Sequence, residues 1–183
     1  MISYNAKDMA RSFRTVRANT IKLAEEIPEE KYNFRPAEGT RSVGETLAHI
    51  AVTSSWPKSF HSEGHTSVNF PMFAAALAAL TEKQNALTTK EQILDALRSG
   101  GDEFASWLEG LSDGFLSENI QFPPGLEPPT KSRFEMLLSV KEHEMHHRAQ
   151  LMTIQRMLGV VPHLTRNMEA RRAEIMAQQQ AAG

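Results

Sequence analysis

Apolar residues recur at every third or fourth position over most of the chain, and this spacing predicts helices. Five long helices are predicted, from about Lys7 to Glu26, Val43 to Trp56 or Phe60, Lys90 to Glu109, Arg133 to Leu158 and Thr165 to Gln179. Apolar and polar residues do not alternate over any useful length, so no strand is predicted. The pattern therefore indicates an all-α fold, a four-helix bundle with an additional C-terminal helix.

Capping sequences support the starts of three of these helices. The S/T-x-x-E motif occurs at Ser42–Glu45, at Thr88–Glu91 and at Ser132–Glu135, each time ahead of an apolar-periodic stretch. In this motif the hydroxyl and the carboxylate bind free backbone amides of the first helical turn. We therefore expect each motif to cap a helix.

Three features shape the segments between the helices. Pro57 lacks an amide donor and is expected to interrupt or kink the second helix. Residues 61–88 are predicted to form a long connection with a short alanine-rich helix near residues 72–80, and the proline-rich residues 122–129 a stiff loop. Since that loop does not resemble a domain linker, we expect one domain over residues 1–183, with its core at about 5–160 and a C-terminal helix at about 164–180.

The composition narrows the classes of function. A net charge of −2 over 183 residues argues against a nucleic-acid surface or a polybasic membrane anchor. The longest apolar run, residues 70–80, is too short to span a bilayer, and the first residues lack a signal-peptide pattern, so we expect a cytoplasmic protein without membrane contact. Cysteine is absent, so a metal would need His, Asp or Glu ligands, which suit zinc, nickel, iron or manganese.

The sequence His-Glu-Met-His-His, residues 143–147, lies within the fourth predicted helix. His143 and His147 are four residues apart, so their Cβ atoms lie about 5–6 Å apart on one face and both imidazoles can bind one cation. They belong to an inward-facing stripe that comprises Met136, Val140, His143, His147, Gln150 and Ile154. Buried imidazoles need partners for their ring nitrogens. A metal site is the first hypothesis, and a hydrogen-bonded core pair or an exposed pair is the alternative.

The best third ligand is His49 in the second predicted helix, although this choice depends on the histidine pair and on the family resemblance given below. Three histidines with an open fourth position are typical of catalytic metal sites. The other histidines receive no ligand role. His146 lies about 100° around the helix from its neighbour and should face solvent or a pocket rim. His61 and His65 are expected to be exposed, and His163 is given no role.

The same residues also match the H-E-x-x-H motif of zinc peptidases, in which the glutamate activates water. Metzincins require a later glycine and histidine, where this chain has Gln150 and Thr153. Such peptidases also align their substrate along a strand, and no strand is predicted. The peptidase is therefore the weaker hypothesis, and Glu144 is interpreted as a solvated helix residue.

Two longer pairs of segments resemble the DinB family, the DinB/YfiT-like metalloenzymes. They are residues 27–36 with 39–50, and residues 143–151 with 158–162. The resemblance covers nearly the whole chain. It implies a four-helix bundle in which one histidine of the second helix and two of the fourth bind a divalent metal. By position these ligands are His49, His143 and His147.

The resemblance also implies a function. Characterised relatives include transferases and isomerases that use bacillithiol, mycothiol or glutathione, and the absence of cysteine is compatible with a thiol supplied by such a cosubstrate. We expect a metal-dependent, thiol-dependent S-transferase or isomerase acting on a small molecule. The alternatives are a metal-hydroxide hydrolase of small esters or amides and a non-catalytic, stress-related metal-binding protein.

Three further expectations complete the sequence analysis. Similar proteins tend to form homodimers, so a homodimer is expected. Gln150 is expected to contact a ligand histidine or the substrate, and Arg148 to form an ion pair at the end of the bundle. No catalytic residue is assigned.

Overall fold

The computed structural model describes residues 4–181, which form helices joined by short connections. The helices are α1 (Ala6–Glu26), α2 (Val43–Thr53), α3 (Ser55–Ser62), α4 (Phe70–Asn85), α5 (Lys90–Glu109), α6 (Asp113–Ser117), α7 (Arg133–Met157) and α8 (His163–Ala181). A 3₁₀ turn, Glu29–Lys31, follows α1. Helices α1, α2, α5 and α7 pack against one another as the bundle. The predicted four-helix bundle with an additional C-terminal helix is confirmed.

Capping boxes fix several helix starts. At α2 the Ser42 hydroxyl accepts a hydrogen bond from the Glu45 amide at 3.2 Å, and the Glu45 carboxylate accepts one from the Ser42 amide at 2.8 Å. The box at Ser132 is also present. The third predicted box is wrong by one residue, because Thr89 caps α5 and the Gln92 side chain takes the place of the carboxylate. A side-chain amide oxygen accepts the same bond as a carboxylate oxygen, so the predicted helix start at residue 90 is still correct.

The second predicted helix is divided, as its proline suggested. Helix α2 ends at Thr53 and α3 begins at Ser55, so Pro57 occupies the third position of α3. The first amides of a helix have no intrahelical acceptor, and proline is tolerated there because its missing donor removes no bond. The next connection contains a longer helix than predicted, since α4 has 16 residues and starts at the cap Asn69.

A small hairpin corrects the prediction that the chain has no strand. Strands β1 (Asn119–Gln121) and β2 (Thr130–Ser132) pair antiparallel, and the proline-rich loop connects them. Three residues are too few to show an alternating pattern, so the sequence carried no strand signal.

A buried arginine joins all four helices of the bundle. Arg17 on α1 is 4% exposed, donates to the Leu97 carbonyl of α5 at 2.8 Å, and lies 3.4 Å from the Ile50 carbonyl of α2. Its Nε atom lies 3.0 Å from the Glu144 carboxylate of α7. On α5 a Cβ atom at Gly101 would lie 2.8 Å from the Arg17 side chain, so glycine leaves the room that the arginine needs. The interpretation of Glu144 as solvated is wrong: it is 2% exposed, because Arg17 neutralises its charge inside the core.

Apolar side chains fill the bundle above and below this ion pair. One cluster of buried residues includes Leu23, Leu47, Ile50, Leu97 and Leu151, and a second includes Met9, Phe13, Phe104 and Leu137. Helix α8 buries only His163 and is otherwise largely exposed. Among residues 4–181, no helix combines the length and the apolar character that a membrane crossing requires.

The ion pair generates a stability prediction. Replacing Glu144 by glutamine leaves the Arg17 cation buried without its counter-charge, so the free energy of unfolding should fall by about 3–5 kcal/mol. Urea denaturation followed by circular dichroism measures this loss. Glu142→Gln is the matched control, because Glu142 is exposed on the same helix and its substitution should change stability by less than about 0.5 kcal/mol. Equal, small effects of the two substitutions would contradict the structural role of the pair.

Candidate metal centre

Three imidazoles from two helices converge on one point. Nε2 of His143 lies 3.2 Å from Nε2 of His49 and 3.2 Å from Nε2 of His147. One ring nitrogen of each histidine lies within 4.8 Å of the other two. Tetrahedral zinc ligands at 2.0–2.1 Å from the ion stand about 3.3 Å from one another. The spacing of this three-histidine cluster, His49, His143 and His147, therefore fits a single bound cation.

The local structure explains why these side chains meet. The four-residue spacing on α7 places His143 and His147 one turn apart on the same face. On α2 the Ser42 cap fixes the helix start, and His49 follows in the second turn. Neighbours in the chain fix the rotation of both helices, because Ile50 and Glu144 are held by Arg17.

Protons cannot satisfy the cluster as well as a cation can. Nε2 of His143 faces two other Nε2 atoms and carries at most one hydrogen. It can donate one linear hydrogen bond, so the other short nitrogen–nitrogen contact has to be satisfied differently. A cation accepts all three lone pairs at once, which makes this donor set suitable for a divalent metal.

Burial keeps the imidazoles uncharged at neutral pH. It lowers the pKa of His49 and of His143 from 6.5 to about 4, and it also lowers the pKa of His147. The positive charge of Arg41 contributes to all three shifts, and the Gln84 side chain of α4 opposes the shift of His49. Neutral rings offer the lone pairs that a metal ion needs.

An amide orients the most buried of the three rings. Nδ1 of His147 lies 2.8 Å from Oε1 of Gln150, and the Gln150 nitrogen lies 3.2 Å from Nε2 of His146. When Nδ1 donates to this oxygen, the hydrogen resides on Nδ1 and Nε2 keeps its lone pair toward the cluster. The expected contact between Gln150 and a site histidine is therefore present, and His146 is exposed to solvent, one of the two positions expected for it.

The other singled-out residues lie outside the cluster. His61 was expected to be exposed but is 1% exposed, because its Nδ1 meets Arg133 of α7 at 2.9 Å inside the fold. His65 remains partly exposed beside Glu63. His163 is buried, and its Nε2 lies 3.3 Å from the Asn19 side chain.

Arg148 is a further correction. It was expected to form an ion pair at the end of the bundle, but its guanidinium donates to the Val16 carbonyl at 3.1 Å. No carboxylate within residues 4–181 forms an ion pair with it. The nearby carboxylate Glu144 is already bound by Arg17, which leaves the backbone of α1 as the acceptor.

A cavity of about 700 Å³ opens beside the cluster. Its lining includes Arg41, Thr46, His147, Gln150, Thr153 and Ile154. Sequence reasoning did not assign a role to Arg41 or to Gln84. The position of Arg41 directly before the Ser42 cap is a usable signal, because it places the side chain at the start of the helix that carries His49. Gln84 had no local signal, since it reaches the site from a helix predicted to end near residue 80.

The fold and the site define a class of protein: a four-helix bundle with a candidate three-histidine metal centre beside an open cavity. Residues 12–151 match the DinB superfamily. The chain therefore belongs to the DinB superfamily, which confirms the family indicated by the sequence motifs.

Relatives in Bacillus subtilis share this architecture. The uncharacterized protein YjoA of strain 168 is 25% identical over 147 residues, which cover 80% of this chain and 86% of YjoA. The YjoA crystal structure has a TM-score of 0.61 at 22% identity and covers 83% of this chain and 92% of its own. YfiT, described as a probable metal-dependent hydrolase with an unusual four-helix bundle topology, has a TM-score of 0.66 at 16% identity, with 87% and 91% covered. At these identities the structural matches show a shared fold.

The hydrogen bond to His147 generates a prediction about metal affinity. Gln150→Ala should weaken zinc binding by about 10–100-fold, because the ring loses the partner that fixes its tautomer. Competition with a chromogenic chelator measures the affinity. Thr153→Ala is the control, since Thr153 lines the same cavity but hydrogen-bonds the Ala149 carbonyl, and its effect should stay below about threefold. Unchanged affinity in Gln150→Ala would show that the amide does not orient the ring.

The lowered pKa values predict how metal-free protein responds to acid. His49 and His143 titrate near pH 4 when folded and near 6.5 when unfolded, so the unfolded chain binds protons at higher pH. Their contribution to the free energy of unfolding is complete above pH 6.5 and is lost as the pH falls toward 4. Thermal melts in chelator should therefore show a smaller decrease of Tm over this range for the His49→Gln/His143→Gln variant. An equal decrease in both proteins would contradict the assignment.

Proposed function

We propose that this chain is a divalent-metal-dependent enzyme that hydrolyses a small molecule, with His49, His143 and His147 as the metal ligands. The observation that carries the proposal is the convergence of three Nε2 atoms, with both nitrogen–nitrogen contacts of His143 at 3.2 Å, at the edge of an open cavity. The similarity of the fold to YfiT, described as a probable metal-dependent hydrolase, supports this class of reaction.

The donor set suits activation of water or of a polar substrate. Three neutral imidazoles leave the whole positive charge of the ion uncompensated, and three-histidine sites of this kind keep a position for water or substrate. A bound divalent ion would polarise a substrate oxygen and lower the pKa of water.

The chain's own residues have separable tasks in this proposal. Gln150 holds the tautomer of His147, and the cavity beside it provides the substrate site. The hydroxyls of Thr46 and Thr153 donate to the Ser42 and Ala149 carbonyls, so they can only accept hydrogen bonds from a substrate. Ile154 forms part of the apolar wall. A cavity of about 700 Å³ lies within the range of about 300–1,000 Å³ that small-molecule sites occupy.

Glu144 does not take the role that it has in zinc peptidases. Its carboxylate is bound by the Arg17 guanidinium at 3.0 Å and is buried in the core. A general base has to reach the proton that it removes, and a carboxylate held in a buried ion pair lacks that access. This geometry favours a DinB-type site over the peptidase alternative.

A thiol-dependent transferase or isomerase is the second candidate. The chain contains no cysteine, so a thiol nucleophile has to come from a cosubstrate. The thiol and the second substrate would have to share the cavity of about 700 Å³. The cytoplasmic location, the homodimer and the single domain over residues 1–183 stay predictions from the sequence.

Metal analysis and activity screening test the proposal together. Protein purified without a polyhistidine tag should contain about one divalent ion per chain, and each of the variants His49→Ala, His143→Ala and His147→Ala should lose it. Metal-loaded protein is then assayed with nitrophenyl esters and anilides without thiol. The same protein is assayed with a chlorinated nitrobenzene in the presence of glutathione, bacillithiol or mycothiol.

The outcome separates the candidate functions. We expect thiol-free hydrolysis that falls at least about 100-fold in each ligand variant. His65→Ala is the control, because His65 is a partly exposed histidine outside the cluster, and it should retain the metal and the rate. Activity only with a thiol would replace the hydrolase by the transferase. Metal binding without either reaction would indicate a non-catalytic protein, and no metal binding would refute the site.

A further inference from the structure

We propose that Arg41 is the specificity-determining residue of this site and binds an anionic group of the substrate, so that the cavity selects small organic anions. The substrate would carry a carboxylate or a phosphate at one end and the reacting group at the end that meets the three-histidine cluster. The inference rests on the proposed function, since it concerns the substrate of the same site.

The position of Arg41 is the first argument. It directly precedes the Ser42 cap of α2 and lines the same cavity as His147 and Gln150. Arg41 and a proposed metal ligand therefore border the same space.

The lack of an internal partner is the second argument. Arg35, six residues earlier, donates to the Glu45 carboxylate at 2.7 Å and forms an ion pair with it. Within residues 4–181, Arg41 forms neither an ion pair nor a side-chain hydrogen bond. The positive charge of Arg41 helps to lower the pKa of Glu45, but the hydrogen bonds of that carboxylate go to Arg35 and to the Ser42 amide.

The charge of the cavity is the third argument. Its described lining contains no aspartate or glutamate, and its other members are histidine, glutamine, threonine, proline, glycine and apolar residues. A divalent ion on three neutral imidazoles would add further positive charge beside Arg41. A site with only positive charge attracts anions, and a guanidinium binds carboxylates and phosphates through two parallel hydrogen bonds.

The shape of the cavity completes the description of the substrate. Pro36, Ile154 and Met157 provide an apolar wall. The hydroxyls of Thr40, Thr46 and Thr153 already donate to backbone carbonyls, which leaves the Arg41 guanidinium as the donor for an anionic group. A short carbon chain can therefore lie against the wall while its anionic end meets the guanidinium. Lysine would preserve the charge at position 41 but lose the two-pronged geometry.

Paired ester substrates test the selectivity. Zinc-loaded wild-type protein and the variants Arg41→Ala and Arg41→Lys are assayed with 4-nitrophenyl hemisuccinate, which is anionic, and with 4-nitrophenyl butyrate, which is neutral. The measured quantity is kcat/KM for the anionic ester divided by kcat/KM for the neutral ester. We expect Arg41→Ala to lower this ratio at least about tenfold and Arg41→Lys to lower it less. Arg171→Ala is the charge-matched control on the exposed helix α8 and should keep the wild-type ratio.

A binding measurement supplies a readout that does not depend on turnover. Calorimetric titration of the zinc-loaded protein with succinate, and separately with inorganic phosphate, should show binding that weakens at least about tenfold in Arg41→Ala. The stronger of the two probes identifies the preferred anion. Equal affinities in wild type and Arg41→Ala would overturn the inference.

The two proposals fail in different ways. Hydrolysis of both esters with an unchanged ratio in Arg41→Ala would leave the hydrolase in place and remove the role of Arg41. Arg41-dependent binding of succinate or phosphate without hydrolysis of either ester would support the anion site and remove the hydrolase.

Discussion

The buried guanidinium of Arg17 is the interaction on which the arrangement of the site depends. It contacts carbonyls of α2 and α5 and the carboxylate of Glu144 on α7, so one side chain of α1 fixes three other helices. Two of these contacts are chain neighbours of the site: Ile50 follows His49, and Glu144 follows His143. A shift of either helix by one residue rotates its side chains by about 100° and would break the buried contact as well as the cluster. The core thereby enforces the geometry of the histidines.

The same ion pair keeps the Glu144 carboxylate apart from the two histidines that lie close to it on α7. Glu144 turns its carboxylate into the core, where Arg17 neutralises it. His143 and His147 turn uncharged rings toward His49. The H-E-x-x-H pattern therefore has a different meaning here from its meaning in zinc peptidases. Its glutamate organises the bundle, and its second histidine, His147, borders a cavity whose described lining carries no negative charge.

Local patterns were sufficient for much of the fold and for part of the site. The boundaries of α1 follow from apolar periodicity, and those of α5 and α7 from periodicity together with capping residues. The histidine pair follows from its four-residue spacing. Long-range contacts were not predictable in this way. The partner of Glu144 is 127 residues away, and His61 is buried by Arg133, 72 residues away, so no local signal marked either side chain as buried. The choice of His49 likewise needed the family resemblance, because one helical histidine has no distinguishing spacing.

The packed core stabilises the metal-free fold, whereas the histidine cluster destabilises it. Three neutral imidazoles with two Nε2 atoms at 3.2 Å from the Nε2 atom of His143 cannot all be satisfied by protons, so their assembly costs stability in the metal-free chain. The apolar clusters and the Arg17 contacts offset that cost, since they hold α2 and α7 in register whether or not a cation is bound. A ligand that binds only the folded state raises the free energy of unfolding. A bundle that is packed behind the cluster and open in front of it therefore holds the three histidines in place while one side of the cluster remains accessible.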